Sequence, residues 1–351
     1  MRIGTVLDFG RPMSVVGDEI AAWEQAGLSS VTLGEAYSFD AATQLAYLAA
    51  RTTSVELATG VLPLDTRTPT LIAATTAAGL DYVSAGRARL GLGPSGPQVV
   101  EGFHGIPFAD ILGKARETIE ICQSVWRRET LKHDGKHYRI PLDPSHGTGL
   151  GKPLKLINRP VRERIPVSIA SLGPRMVELT AEVADGWEPI FFYPEKLQEV
   201  WGPALSKGNA KRHADLGPLE IIVRTPLAVT EDDPNPWINA AKAQLALYIG
   251  GMGSREQNFY NRLVSAYGFL EEAAVIQDHF LAGRAAEATA AVPDELVRAT
   301  TLIGDADHIR QRLAVLRDAG VTLVNVTPLS TDPTERLDAV RMVVALSKEL
   351  S

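Results

Sequence analysis

Short apolar runs rich in β-branched residues alternate along the chain with longer stretches in which apolar residues return every three or four positions. The short runs predict eight strands: Ile3–Asp8, Ser30–Glu35, Val55–Val61, Ala88–Gly93, Ile165–Ala170, Gly186–Ile190, Leu219–Val229 and Thr322–Thr327. Segments of helical period fall between them at Val15–Ala26, Ala41–Arg51, Thr68–Ser84, Ile111–Arg127, Pro174–Ala184 and Glu195–His213. A longer helical stretch is expected from Pro236 to about Ala286, and the last strand is flanked by helical segments at Ala306–Ala319 and Pro333–Leu350.

Strand–helix alternation favours a parallel sheet, because parallel neighbours need crossover connections. Eight such units with no second composition regime predict an α/β fold, one closed (β/α)8 TIM barrel spanning residues 1–351, over an open sheet. Residues 128–164, rich in Gly, Pro, His and Lys, and residues 236–293 exceed the repeat. Both read as insertions at strand–helix connections, where barrels carry their specificity elements.

Composition narrows the function. The net charge is −7 with no basic block, so the footprint of a nucleic-acid-binding protein is missing. No apolar run approaches the ~18 residues of a membrane span, and the N-terminus reads as a strand, not a signal peptide; a cytoplasmic protein is expected. The single cysteine, Cys122, sits at helical spacing in ETIEICQSVW and reads as a packing residue.

Several motifs carry candidate chemistry. RLGLGPSGP places Gly91, Gly93 and Gly96 at dinucleotide-fingerprint spacing after a strand, but Pro94 and Pro97 interrupt, and the next helix is expected only from about Asp110. A ligand loop lined by backbone is the better reading. Pro97 also stands where a hydrolase elbow needs glycine, which makes Ser95 a poor nucleophile. In LATGVLPL a strand ends at Gly60, either in an ordinary turn or in a bulge that lets a ligand approach. SLGPRMVEL runs a strand into Ser171, Leu172, Gly173 and Pro174, with Ser171 as the expected N-cap and a helix N-terminus suited to phosphate. His133 and His137 flank an Asp134–Gly135 hairpin turn and are not expected to hold metal. Near strand ends, Glu35, Tyr37, Asp40, Glu101 and His104 are candidate proton-transfer groups.

Three segments together resemble the bacterial luciferase-like superfamily over most of the chain: Gly60–Gly105, Ser171–Trp187 and Gly304–Pro328. GLGPSGPQVVEG and, in the second insertion, ALYIGGMGSREQNFY resemble its actinobacterial branch dependent on coenzyme F420. The resemblance implies a barrel with the deazaflavin at its C-terminal mouth and a non-prolyl cis peptide at Gly60–Val61, beside Thr59, under the ring. Gly93 and Ser95 would line the ring or side-chain region, and Ala170, Ser171, Leu172 and Gly173 the phosphate. Glu35 stands where many relatives keep an acid. The histidine that follows that acid in some of them is replaced by Ala36, which leaves Tyr37 or His104 for the proton.

The activity implied is hydride transfer between the deazaflavin and a small organic substrate, in a homodimer. Two alternatives stay open: an FMN-dependent monooxygenase fed by a separate reductase, and a non-catalytic cofactor-binding protein.

Overall fold

Each of the eight runs with strand character forms a strand in the computed structural model, which describes residues 1–350: β1 (Arg2–Val6), β2 (Ser30–Leu33), β3 (Glu56–Thr59), β4 (Ala88–Gly93), β5 (Val167–Ala170), β6 (Gly186–Glu188), β7 (Glu220–Val229) and β8 (Val321–Pro328). Every consecutive pair is parallel, and β8 returns to β1, with Ile3 opposite Val324, so the sheet closes. Helices cover the outside, which is why strand residues such as Val31, Leu57, Ile169 and Val324 are wholly buried.

Near the N-terminal ends of the strands the barrel is closed by charge. Arg89 of β4 is 3% exposed and donates to Glu56 of β3 at 3.0 Å and Glu220 of β7 at 2.9 Å, while Arg2 donates to Glu220 at 3.1 Å. A buried guanidinium is tolerable there because carboxylates meet it on two sides. The opposite end is left for loops and function.

The connections depart from the simple pattern where side chains or glycines intervene. After Thr59 the third strand breaks at Gly60–Val61 and resumes at Leu62–Pro63, which pairs with Leu92 and Gly93. The helix expected over residues 68–84 forms, but its middle, Ile72–Ala78, is wound as a π-helix. The Trp126 indole donates to the Ala73 carbonyl at 3.0 Å there, taking an acceptor from the helical ladder. Buried Cys122 packs beside it, and burial pushes its thiol well above the ordinary range, as befits a packing residue.

The first insertion carries the expected hairpin, pairing His133–Asp134 with Arg139–Ile140. Glu117 accepts backbone N–H groups from Lys136, His137 and Tyr138 and lies 3.2 Å from His133 Nε2, so the histidine belongs to the hairpin's attachment. Among the described residues no cluster of His, Cys, Asp and Glu could hold a metal, and no helix is long and apolar enough to cross a membrane.

The long helical stretch of the second insertion is four helices, Asn235–Gly251, Phe259–Ala266, Leu270–Leu281 and Ala285–Ala290. Gly268 and Gly283, at φ +105° and +75°, stop two of them. A further short strand, Leu302–Gly304, which the apolar pattern does not single out, pairs with the end of β7.

Candidate active site at the barrel mouth

At the C-terminal ends of β2, β3 and β4 the chain presents backbone more than side chain. The Gly60–Val61 peptide is cis. It is held on both sides: Gly60 N–H donates to Leu33 O at 2.8 Å, and Val61 O accepts from Glu35 N–H at 3.1 Å. A Cβ on Gly60 would lie 1.9 Å from Thr32 Cγ2, so only glycine fits. One on Gly93 would lie 2.6 Å from Val61 Cγ2, and one on Gly91 would lie 1.9 Å from the Thr59 carbonyl oxygen. Thr59 hydrogen-bonds in turn with both Gly91 N–H and Gly91 O at 2.9 Å. The floor is therefore tightly packed backbone, with Val61 partly exposed above it.

The loop after β5 supplies a different feature. Trp187 Nε1 donates to Ser171 O at 3.0 Å, and Trp201 Nε1 donates to Leu172 O at 3.2 Å. In a trans peptide the N–H points opposite its carbonyl. With both carbonyls fixed on buried indoles, the N–H groups of Leu172 and Gly173 are aimed the other way. They adjoin the start of the helix Pro174–Val183, whose macrodipole adds positive character. A Cβ on Gly173 would meet nothing within 4 Å, so the backbone beside these donors is uncrowded. The residues present fit an anionic phosphate tail approaching along the backbone.

Two details correct the reading from the chain alone. Ser171 is not the N-cap; Gly173 is, and Ser171 Oγ is buried and bonded to Thr180 Oγ1 at 2.9 Å. A short helix, Pro97–Val100, does begin inside the glycine-rich loop, because Pro97 occupies a first-turn position where a missing N–H costs nothing. Ser95, at φ +57°, precedes it.

The three candidate proton-transfer residues occupy different surroundings. Glu35 receives Arg67 on both carboxylate oxygens, at 2.5 and 3.0 Å, and the Ala41 N–H at 2.8 Å. Arg67 also pairs with Asp40, which caps the helix Ala41–Ala49. Burial works to raise the Asp40 carboxyl, but hydrogen bonds from Thr43 and the Arg67 charge hold it below the ordinary range. Tyr37 is 68% exposed and its ring lies 6.0 Å from Phe103. His104, next to Phe103, places Nε2 at 2.8 Å from the Ala36 carbonyl. A carbonyl only accepts, so Nε2 carries the hydrogen of that bond and Nδ1 is left as the second functional atom. The structure thus brings Tyr37 and His104 together across one aromatic ring and gives Glu35 to an arginine. Phe9, Phe39 and Phe103 are exposed as well.

Two charged residues that belong to none of these motifs stand on the far side of the barrel. Arg224 of β7 donates to the Gly60 carbonyl at 3.0 Å, reaching across from the seventh strand to the third. Glu188 of β6 lies 3.7 Å from Arg224 and accepts from Ser168 Oγ at 2.5 Å. Burial dominates its titration and pushes its carboxyl up, against the pull of Arg224, Ser168 and Arg89. The signal is present in the sequence: Glu188 is the one charged residue of β6, and Arg224 the one charged residue of β7 besides Glu220 at its start.

Comparison with known proteins shows the family. A protein of Mycobacterium tuberculosis named as a coenzyme F420-dependent oxidoreductase is 40% identical over 343 residues, covering 97% of this chain and 98% of its own. A 5,10-methylenetetrahydromethanopterin reductase of Archaeoglobus fulgidus is 26% identical over 83% of the chain and 82% of its own length. The solved coenzyme F420-dependent tetrahydromethanopterin reductase of Methanopyrus kandleri superposes with a TM-score of 0.79 over 99% of this chain and 98% of its own, at 22% identity. The family model described as luciferase-like monooxygenase matches residues 5–323, and the chain belongs to that family.

Proposed function

We propose that this protein is an F420-dependent oxidoreductase that transfers a hydride between the deazaflavin and a small organic substrate at the barrel mouth. The observation that carries the deazaflavin over a flavin is the 40% identity, across nearly the whole of both chains, to a relative named for F420. The backbone floor and the N–H cradle support it, since they suit a flat ring with a phosphate-bearing tail.

In this reading Leu172 and Gly173 hold the phosphate through N–H donors that the indoles of Trp187 and Trp201 orient, beside Ala170 and Ser171. Thr59, Gly60, Val61, Gly93 and Ser95 form the surface on which the ring rests. When bound, the deazaflavin supplies a hydride carrier that reacts poorly with oxygen. His104 holds or takes up the substrate proton at Nδ1 while Ala36 fixes its ring, and Tyr37 stands beside it across Phe103. Glu35, bound to Arg67, keeps the loop after β2 in place.

The test is a titration of purified protein with F420 and, separately, with FMN, followed by fluorescence. Preferential F420 binding, with turnover that consumes no oxygen, is the expected result. Preferential FMN binding with oxygen uptake would overturn the cofactor assignment and favour the monooxygenase alternative.

A further inference from the structure

The segment ALYIGGMGSREQNFY belongs to the second insertion, apart in sequence from the glycine-rich floor and from the loop after β5. It forms the corner between the helices Asn235–Gly251 and Phe259–Ala266, and a single side chain locks it. Asn258, 2% exposed, donates from Nδ2 to the carbonyls of Tyr248 and Ile249 at 3.0 and 2.9 Å. Its Oδ1 accepts the N–H groups of Tyr260 and Asn261 at 2.9 and 3.0 Å. All four hydrogen-bonding positions of the amide are filled, and the two tyrosines are tied through their backbones to one buried group. The glycines serve the same corner: a Cβ on Gly250 or Gly251 would lie 2.4 Å from Phe280, and Gly253 has φ +153°.

The corner brings the Tyr248 and Tyr260 rings to 4.8 Å, perpendicular to one another. Phe191, from the loop after β6, meets them edge-on at 5.2 and 6.2 Å. Phe191 is held at φ +51°, with Tyr267 Oη donating to its carbonyl at 2.8 Å. All three rings are partly exposed. Glu188, three residues before Phe191, lies 3.7 Å from Arg224, so the guanidinium stands beside the strand end that leads into this aromatic cluster. Among the described residues the Arg224 side chain makes one hydrogen bond, to Gly60, besides its ion pair with Glu188, and neither tyrosine hydroxyl makes any.

We propose that Arg224, Tyr248, Tyr260 and Phe191 form the substrate subsite of the mouth, and that it takes a flat, conjugated carboxylate. A guanidinium with donors to spare matches a carboxylate in a planar fork, and perpendicular aromatic walls receive a flat apolar body. Among the described residues Glu188 is the one acid partner of Arg224, and its burial disfavours the charged form, which leaves the guanidinium available to a second anion. The proposal rests on the reading of the mouth as the reaction site, and the Gly60 carbonyl, bonded to Arg224, joins the two halves.

The probe is trans-cinnamate, titrated into the protein without cofactor by calorimetry, with cinnamamide as the uncharged control. Cinnamate should bind about tenfold more tightly than cinnamamide. Tyr260→Leu and Arg224→Lys should each weaken cinnamate about tenfold, while Tyr260→Leu leaves F420 affinity unchanged. Tyr260→Phe, which keeps the ring, should retain most cinnamate binding and serves if the leucine variant does not fold. No cinnamate binding, equal binding of acid and amide, or an unchanged affinity in the Tyr260→Leu and Arg224→Lys proteins would overturn the subsite. Because the probe is read without cofactor, failure of F420 to bind leaves this result standing and strikes only the cofactor assignment.

Discussion

The two halves of the barrel mouth meet at the Gly60 carbonyl but are made of different material. Around β3, β4 and β5 the surface is backbone: glycines at 60, 91, 93 and 173, with peptide groups oriented by partners buried behind them. Around β6, β7 and the second insertion it is side chain: Arg224, Tyr248, Tyr260 and Phe191, set by a buried amide and an ion pair. Backbone is chemically the same in any sequence, so a surface made of it suits a ligand shared by a whole family. Side chains can be exchanged without disturbing the barrel, so they suit the ligand that differs between members.

The hardest blow to this division would come from Gly60. Gly60→Ala puts a methyl 1.9 Å from Thr32 Cγ2. Overpacking of this kind costs about 1–3 kcal/mol. F420 affinity should fall by about two orders of magnitude as the floor shifts, and Thr32→Ser in the same chain should recover part of both losses. Denaturant midpoints and cofactor titration read the two effects separately. If Gly60→Ala binds F420 normally, the backbone floor is not the cofactor surface.

In the proposed function His104 is the exception, a side chain acting on the backbone side. His104→Gln should slow turnover by about a hundredfold while F420 affinity stays constant. Full activity in that variant would remove His104 from the proton path and leave Tyr37. A smaller effect is expected from Trp201→Phe, which frees the Leu172 carbonyl. F420 affinity should weaken about tenfold, with cinnamate affinity unmoved; a loss of both ligands together would mean that the halves are not independent.

Tyr260 offers the mildest test, through pH. Burial, with Tyr248 beside it, pushes its phenol up to about 12, against the opposing pull of Arg224. The shift is upward, so the folded and unfolded chains both keep the proton below the ordinary tyrosine value near 10, and the contribution of Tyr260 is intact there. It is lost as pH rises from about 10 towards 12. Cinnamate affinity should therefore stay flat between about pH 7 and 9, and Tyr260→Phe should remove one late step from the tyrosinate absorbance titration. A decline in affinity with a midpoint near 8 would assign the recognition to another group.

Much of this architecture was legible along the chain. A strand buried on both faces has to be short, apolar and β-branched, and all eight barrel strands announced themselves in that way. The helix breaks in the second insertion did not, although Gly268 and Gly283 were in view, because the apolar period continues across both. The N-cap was misplaced for a related reason: Ser171 has the right side chain, but Thr180 competes for its hydroxyl from nine residues away. The helix start after Gly173 is expected from the sequence, while the indoles that fix the Ser171 and Leu172 carbonyls, Trp187 and Trp201, are invisible as partners until the chain is folded.

Local patterning determined the eight strands, the barrel order, the glycine positions and the family. These depend on neighbours a few residues apart, and burial imposes its period directly on the sequence. Only the tertiary structure decided which charged groups pair and which remain available: Glu35 with Arg67, Arg89 with Glu56 and Glu220, Arg224 with the Gly60 carbonyl. A residue's charge is written in its side chain, but its partner is chosen by closure of the sheet, which brings Arg224 within 3.0 Å of a carbonyl 164 positions away.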